Sequence, residues 1–183
     1  VQISQRAFNN AGTLTWSGTG DIGLDTSAAI NNQAGATFTL GNNQTVIFNG
    51  GTASNFNNAG TLTKTSGGTS NVNVAFNNNT GGVVNLNAGT LSLNAGGTDA
   101  GTFNVGVNDT LQFAGGTHNV NVGSTIAGAG NLALSGGIIN FAGSVGITGA
   151  ATLSAGTANF NAATALPSLV FSGGILGGSA ALT

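Results

Sequence analysis

The chain has no cysteine, no methionine, no tyrosine and no glutamate, and it holds one proline, one tryptophan and one histidine. Without cysteine there is no disulfide, no thiolate nucleophile and no cysteine zinc site, and a thiol-free chain suits reducing and oxidising compartments alike. Charge is also scarce. Arg6, Lys64, Asp21, Asp25, Asp99 and Asp109 make up 3% of 183 residues, against about 25% in an ordinary domain. With two basic residues and a net charge of −2, the counterion-release term that drives nucleic-acid binding is missing, as is attraction to anionic lipid. No run approaches the ~20 apolar residues that span a bilayer, so no direct membrane insertion is expected. The first residue is Val1 rather than Met, which reads as a mature chain or a fragment.

What remains is apolar and repetitive. Hydrophobic residues supply 40% of the chain and glycine 33 positions. The surface must therefore be solvated by Asn, Thr, Ser, Gln and backbone. The phrase Phe-Asn-Asn-Ala-Gly-Thr-Leu-Thr occurs at 8–15 and again at 56–63, with looser copies starting at Ile30 and Phe76. Gly-Gly-Thr begins at 50, 67, 96 and 115, and Gly-Gly-Ile at 136 and 173. The intervals give a period of about 20 residues with insertions. Between the markers lie short alternating runs, the signature of half-buried strands: 72–76, 83–86, 90–93, 103–105, 110–113, 119–122, 131–134 and 138–141. The one stretch that could pass for a helix, 150–165, is broken by Gly156 and leads into Pro167.

Glycine and asparagine are the residues of tight corners, because they reach positive φ at little cost. Corners this frequent leave no room for the long strands of a sandwich, and a chain this apolar is not disordered. The expectation is an all-β, single-stranded parallel β-helix, a β-solenoid of about nine coils of ~20 residues forming one segment over 1–183, with a rod length of roughly 40 Å. In the repeated phrase, Phe8 and Phe56 are expected to point inward on one file. Asn-Asn and Ala-Gly would shape the corner, and Leu14 and Leu62 would enter the next inward row.

Candidates for chemistry are few. His118 alternates with Val120 and Val122 and reads as a structural histidine. Asp99 and Asp109 are half a coil apart, which sets them on opposite walls, whereas a glycosidase needs two carboxyls facing each other within ~5–10 Å. Asp21 and Asp25 resemble one degraded copy of a calcium-binding nonapeptide, but no second copy follows to complete it. Thr13/Thr15, Thr37/Thr39 and Thr61/Thr63 form Thr-x-Thr pairs that later coils do not keep. Asn43, Asn78 and Asn108 head glycosylation sequons of the kind chance supplies in so Asn- and Thr-rich a chain. Trp16 beside a glycine turn is a possible glycan contact. No catalytic, metal or cofactor-binding residue is expected.

The ends carry the clearest hint. Neither Val1-Gln2-Ile3-Ser4 nor the closing run ending Ala180-Ala181-Leu182-Thr183 looks like the polar cap that blunts a solenoid end. These residues are the candidates for self-association, by end-to-end stacking or against flanking coils of a parent chain. The phrases Phe-Asn-Asn-Ala-Gly-Thr-Leu-Thr, Gly-Gly-Thr-x-Asn-Val-Asn-Val and Ala-Gly-Thr-Leu-Ser-Leu resemble the shaft repeats of large bacterial surface proteins, the filamentous-haemagglutinin-like and autotransporter passenger adhesins. That resemblance implies secretion to the bacterial cell surface, a right-handed β-helix, no cofactor, and a role as stalk or adhesive fibre. The family's secretion domain and outer-membrane barrel have no counterpart in these residues. The leading expectation is a non-catalytic extracellular structural or adhesive segment. The alternative is a lateral face that binds a host-surface or matrix carbohydrate or receptor, and the third reading is a β-helical polysaccharide-degrading enzyme.

Overall fold

A computed structural model describes residues 1–183. It contains only short strands, of three or four residues each, and every strand pair is parallel. The strands stack into three faces, two with nine strands and one with seven, giving a β-solenoid of about eight turns with ~21 residues per turn. The first coil consists of Gln2–Ser4 on the first face, Ala7–Asn10 on the second and Thr13–Trp16 on the third. The fifth, midway along the rod, consists of Thr90–Leu93, Gly97–Asp99 and Thr102–Val105. The third face ends at Ser144–Ile147, and beyond it the last two layers are joined there only by an isolated bridge from Thr164 to Leu182. The last turn is thus incomplete, which leaves the turn count one below expectation.

Each face sends two files of side chains into the core. On the second face Phe8, Ile30, Phe56 and Phe76 stand in consecutive register, so the two copies of the repeated phrase share one file. On the third face the file is Leu14, Phe38, Leu62, Val84, Phe103, Ile126 and Val145. Rings meet both across the interior, Phe38 of the third face to Phe56 of the second at 5.3 Å, and along the file, Phe56 to Phe76 at 5.4 Å between centroids. Edge and tilted contacts of this kind are what aromatic quadrupoles favour. A single core cluster of 34 buried apolar residues runs the length of the rod.

The asparagines do not shape corners as expected. In each Asn-Asn pair both residues lie within the strand, the first pointing out and the second in. Asn10, Asn32, Asn58 and Asn78 are buried and form an internal ladder: each Nδ2 donates to the Oδ1 of the next coil, at 2.8, 2.8 and 2.9 Å. Each also donates to a third-face carbonyl, those of Thr37, Thr61, Val83 and Thr102 in turn. A buried amide is tolerable when all its groups are partnered, and here the neighbouring coil supplies an identical partner at every step. Outside, Asn31, Asn57 and Asn77 form a second ladder that runs the other way, each Nδ2 donating back to the preceding coil at 2.8 Å.

Glycine marks the corner between the first and second faces. Gly116, Gly137, Gly156 and Gly174 hold this position in four successive coils with φ between +70° and +81°. A Cβ on Gly137 would overlap the Gly116 carbonyl oxygen of the coil below, so the left-handed backbone and the stacking both demand glycine there. Five of the six Gly-Gly markers lie at this corner, and Gly67-Gly68 lies between the third and first faces.

The corner between the second and third faces alternates. It has two residues in odd coils (Ala11-Gly12, Ala59-Gly60, Ala100-Gly101, Ala142-Gly143) and four in even ones (33–36, 79–82, 121–124). In the short form both amides converge on one carbonyl of the coil before, as Ala59 N and Gly60 N do on Asn32 O at 2.8 and 3.2 Å. In the long form the corner closes as a β-turn of its own, Gly82 N to Asn79 O at 2.8 Å, with Gly81 at φ +83° in its third position. The true repeat is two coils, which is why the octapeptide returns 48 positions later. Two of the expected runs also cross corners: Asn73-Val74 separates two strands within 72–76, and Val122 sits exposed at the tip of a long turn.

Candidate functional site

The few titratable groups are distributed as follows. Asp21 sits in the corner before Ile22–Asp25, where its Oδ1 accepts from Thr45 N at 2.8 Å, and Asp25 Oδ2 accepts from Gln2 Nε2 at 2.6 Å. Each is engaged by the protein, and nowhere do three or more His, Cys, Asp or Glu side chains gather. Asp99 lies inside the second face and Asp109 at the corner between the third and first faces. Sequence separation did place these two apart.

What the sequence reading did not pair are Asp99 and His118. Asp99 stands in the ladder position that follows Asn78, and His118 stands on the next coil opposite Gly97. Both are fully buried, with His118 Nδ1 3.6 Å from Asp99 Oδ2. His118 packs edge-on against Phe113, centroids 4.7 Å apart. Neither ring nitrogen has a hydrogen-bond partner, nor has Asp99 Oδ2. Burial pushes the Asp99 carboxyl above its ordinary value, against the opposing pull of His118 and of the Asn78 amide. Acid and imidazole within 4 Å are a familiar catalytic pairing, yet neither lines any of the three surface recesses. A substrate has no route to them.

Lys64 was also missed. It occupies a leucine file between Leu40 and Leu86 and is fully buried, its Nζ donating to Ser66 O at 2.7 Å and Ser66 Oγ at 2.9 Å. Burial lowers its pKa from 10.5, with Asp109 acting in the opposite direction. Lys64→Leu, which restores the file, is expected to raise stability near neutral pH by about 1–2 kcal/mol, read by urea unfolding. A lowered lysine pKa means the native state binds fewer protons than the unfolded one, so wild-type stability rises with pH up to 10.5 and the gap should narrow over that range. A variant less stable than wild type would refute this.

Trp16 is turned inward at 9% exposure, its Nε1 donating to Gly20 O at 3.1 Å. Its exposed remainder faces the recess at the open end of the rod rather than a lateral face. Asn78 of the second sequon is fully buried in the amide ladder. Thr13, Thr37 and Thr61 do align, as do Thr15, Thr39 and Thr63, but the rows continue as Val83 and Asn85.

The residues expected to self-associate lie on the outermost layers of the rod. Val1 is 83% exposed, and the Gln2–Ser4 strand pairs on one side only. Around it opens an apolar recess of about 290 Å³ whose walls include Val1, Ile3, Phe8, Leu14 and Trp16. At the other end Ala180, Ala181, Leu182 and Thr183 close the chain, but the larger apolar surface belongs to Val170, Phe171, Ile175 and Leu176. Their signal was the pair of short apolar runs flanking Gly173-Gly174. Comparison with protein-family models, with curated proteins and with solved structures gives no significant match.

Proposed function

We propose that the chain is a non-catalytic structural segment of an extracellular bacterial surface fibre, a stiff uncharged rod that continues by coil-on-coil stacking. The observation that carries this reading is the in-register stacking of three parallel faces over successive coils around one continuous apolar core. Each coil presents the next with backbone partners on its faces and an apolar cross-section, so length is added without new kinds of contact. The outermost layers keep this geometry: Phe8 and Ile3 at one end, Phe171 and Leu176 at the other, stand in the inward files. A second copy placed head to tail would be a heterologous, non-closing contact, which generates filaments rather than rings.

Almost nothing in such an interface is charged, so assembly should depend little on ionic strength. Electron microscopy and analytical ultracentrifugation of the purified chain test the proposal. The expected result is particles that lengthen with protein concentration, equally at low and high salt, and that shorten in Phe171→Asp. Rods of one fixed length at every concentration would overturn self-stacking and leave flanking coils of a longer chain as the neighbour.

A further inference from the structure

We propose that the fifth coil is a built-in opening point of the rod, gated by protonation of the Asp99 carboxyl buried beside His118. Four features that hold the second face together elsewhere fail here at once. The internal asparagine ladder ends at Asn78, because Asp99 takes the next position. The external ladder ends at Asn77, because Thr98 follows it and its amide, at 3.0 Å, takes up the Asn77 Oδ1. The inward aromatic file ends at Phe76, because Gly97 follows with φ +151° and no side chain, its would-be Cβ overlapping the Phe76 carbonyl oxygen. And the strand pairing between Ala75–Asn78 and Gly97–Asp99 comes down to the single pair Asn78 and Asp99, where other neighbours on this face match over three or four residues.

Backbone bonds still join the two coils on either side, Phe76 N donating to Gly96 O at 2.9 Å and Ala100 N to Asn78 O at 2.7 Å, but the bonds at the ladder position itself are weaker or conditional. Asn78 N donates to Asp99 Oδ1 at 3.4 Å, a side-chain acceptor at the long end of the range. Asp99 Oδ2 and both His118 nitrogens have no partner. When the carboxyl is protonated, its O–H can turn towards His118 Nδ1, 3.6 Å from Oδ2, and the carboxyl itself encloses no charge. When it is ionised, the carboxylate keeps one long backbone hydrogen bond and faces His118 across the same 3.6 Å, which offsets only part of the cost of burying the charge, and opening the coil to water relieves the rest. No other titratable group acts on Asp99. The elements packed around the pair contribute Asn78, Val120, Phe113 and Ile139, all uncharged.

The direction follows from linkage. Burial raises the Asp99 pKa above its ordinary 3.8, so the closed state binds the proton more tightly than the open one. The stability of the closed coil is therefore complete below 3.8 and is lost as pH rises through the raised value. Between the two values the opening constant grows by up to about tenfold per pH unit, and it levels off above. Because a solenoid opens locally rather than as one unit, the loss is confined to this coil and its neighbours.

Hydrogen exchange on the full chain, corrected for intrinsic rates and read from pH 4 to pH 8, tests this. The expected result is that amides of Gly97–Asp99, and of the Thr117–Val120 strand stacked on it, lose protection with rising pH while those of Asn55–Asn58 do not. In Asp99→Asn, protection of the fifth coil should become independent of pH and match that of the third. If that variant does not fold, Asp99→Val, which copies Val120 from the same file, takes its place. Uniform protection along the wild-type rod, or a pH dependence that survives the substitution, would overturn the proposal.

Discussion

Phe56→Ala should lower the stability of the rod by about 3–5 kcal/mol, the range for deleting a fully enclosed phenylalanine, in urea unfolding followed by circular dichroism. The ring is completely buried and lies between Phe38 and Phe76, so its loss leaves a void that the stacked backbone cannot collapse to fill. Phe8→Ala is the control, because Phe8 heads the identical octapeptide and stands in the same file. It is 39% exposed at the open end, and its truncation in the isolated chain should cost less than about 1 kcal/mol. The same change should weaken filament growth, because a docked coil would bury Phe8 as deeply as Phe56. Equal losses of stability from the two substitutions would show that the files do not run as described.

Asn58→Leu is the second large effect, expected at about 2–6 kcal/mol because two buried groups lose their partners at ~1–3 kcal/mol each. Asn78 Oδ1 loses the donor it has at 2.9 Å, and the Asn32 amide loses one of its two acceptors. Leucine is close in volume, so packing is not what is tested. The neighbouring Asn57→Ala removes the same chemistry from the outer ladder, where its bonds to Asn31 and Asn77 are partly open to water. Water replaces the lost amide there, and the cost should stay below about 1 kcal/mol. Thermal unfolding of the two variants side by side measures the difference. Comparable losses would mean that the internal ladder contributes no more than a surface one.

Much of the architecture could be read in advance because a solenoid writes its geometry locally. The runs 83–86, 90–93, 110–113, 131–134 and 138–141 coincide with strands, since alternation and flanking glycine are both properties of neighbouring residues. The shared file of Phe8 and Phe56 could be read because identical phrases one or more coils apart must meet the same surroundings. The asparagines misled for a physical reason. In a single sequence an Asn-Asn pair beside Ala-Gly looks like turn chemistry, and only stacking turns the second amide into a core residue, by giving it the same amide as a partner in each adjoining coil. Trp16 is a similar case, as its neighbouring glycines suggest exposure while the file Trp16, Leu40 places it inside.

The sequence by itself determined the strands, the glycine corners and the period, because each depends on backbone preferences and alternation that reach no further than a few residues. Only the tertiary structure decided which polar groups meet. Asp99 and His118 are 19 positions apart and come within 3.6 Å because the turn there sets His118 opposite Gly97, two residues before Asp99 on the same inward side of the strand. Lys64 is buried because it falls in a leucine file set by Leu40 and Leu86, 24 residues before it and 22 after. Corner lengths alternate between two and four residues, so register is summed over whole turns. The contacts made across turns are therefore fixed by the wound chain and not by any stretch of it.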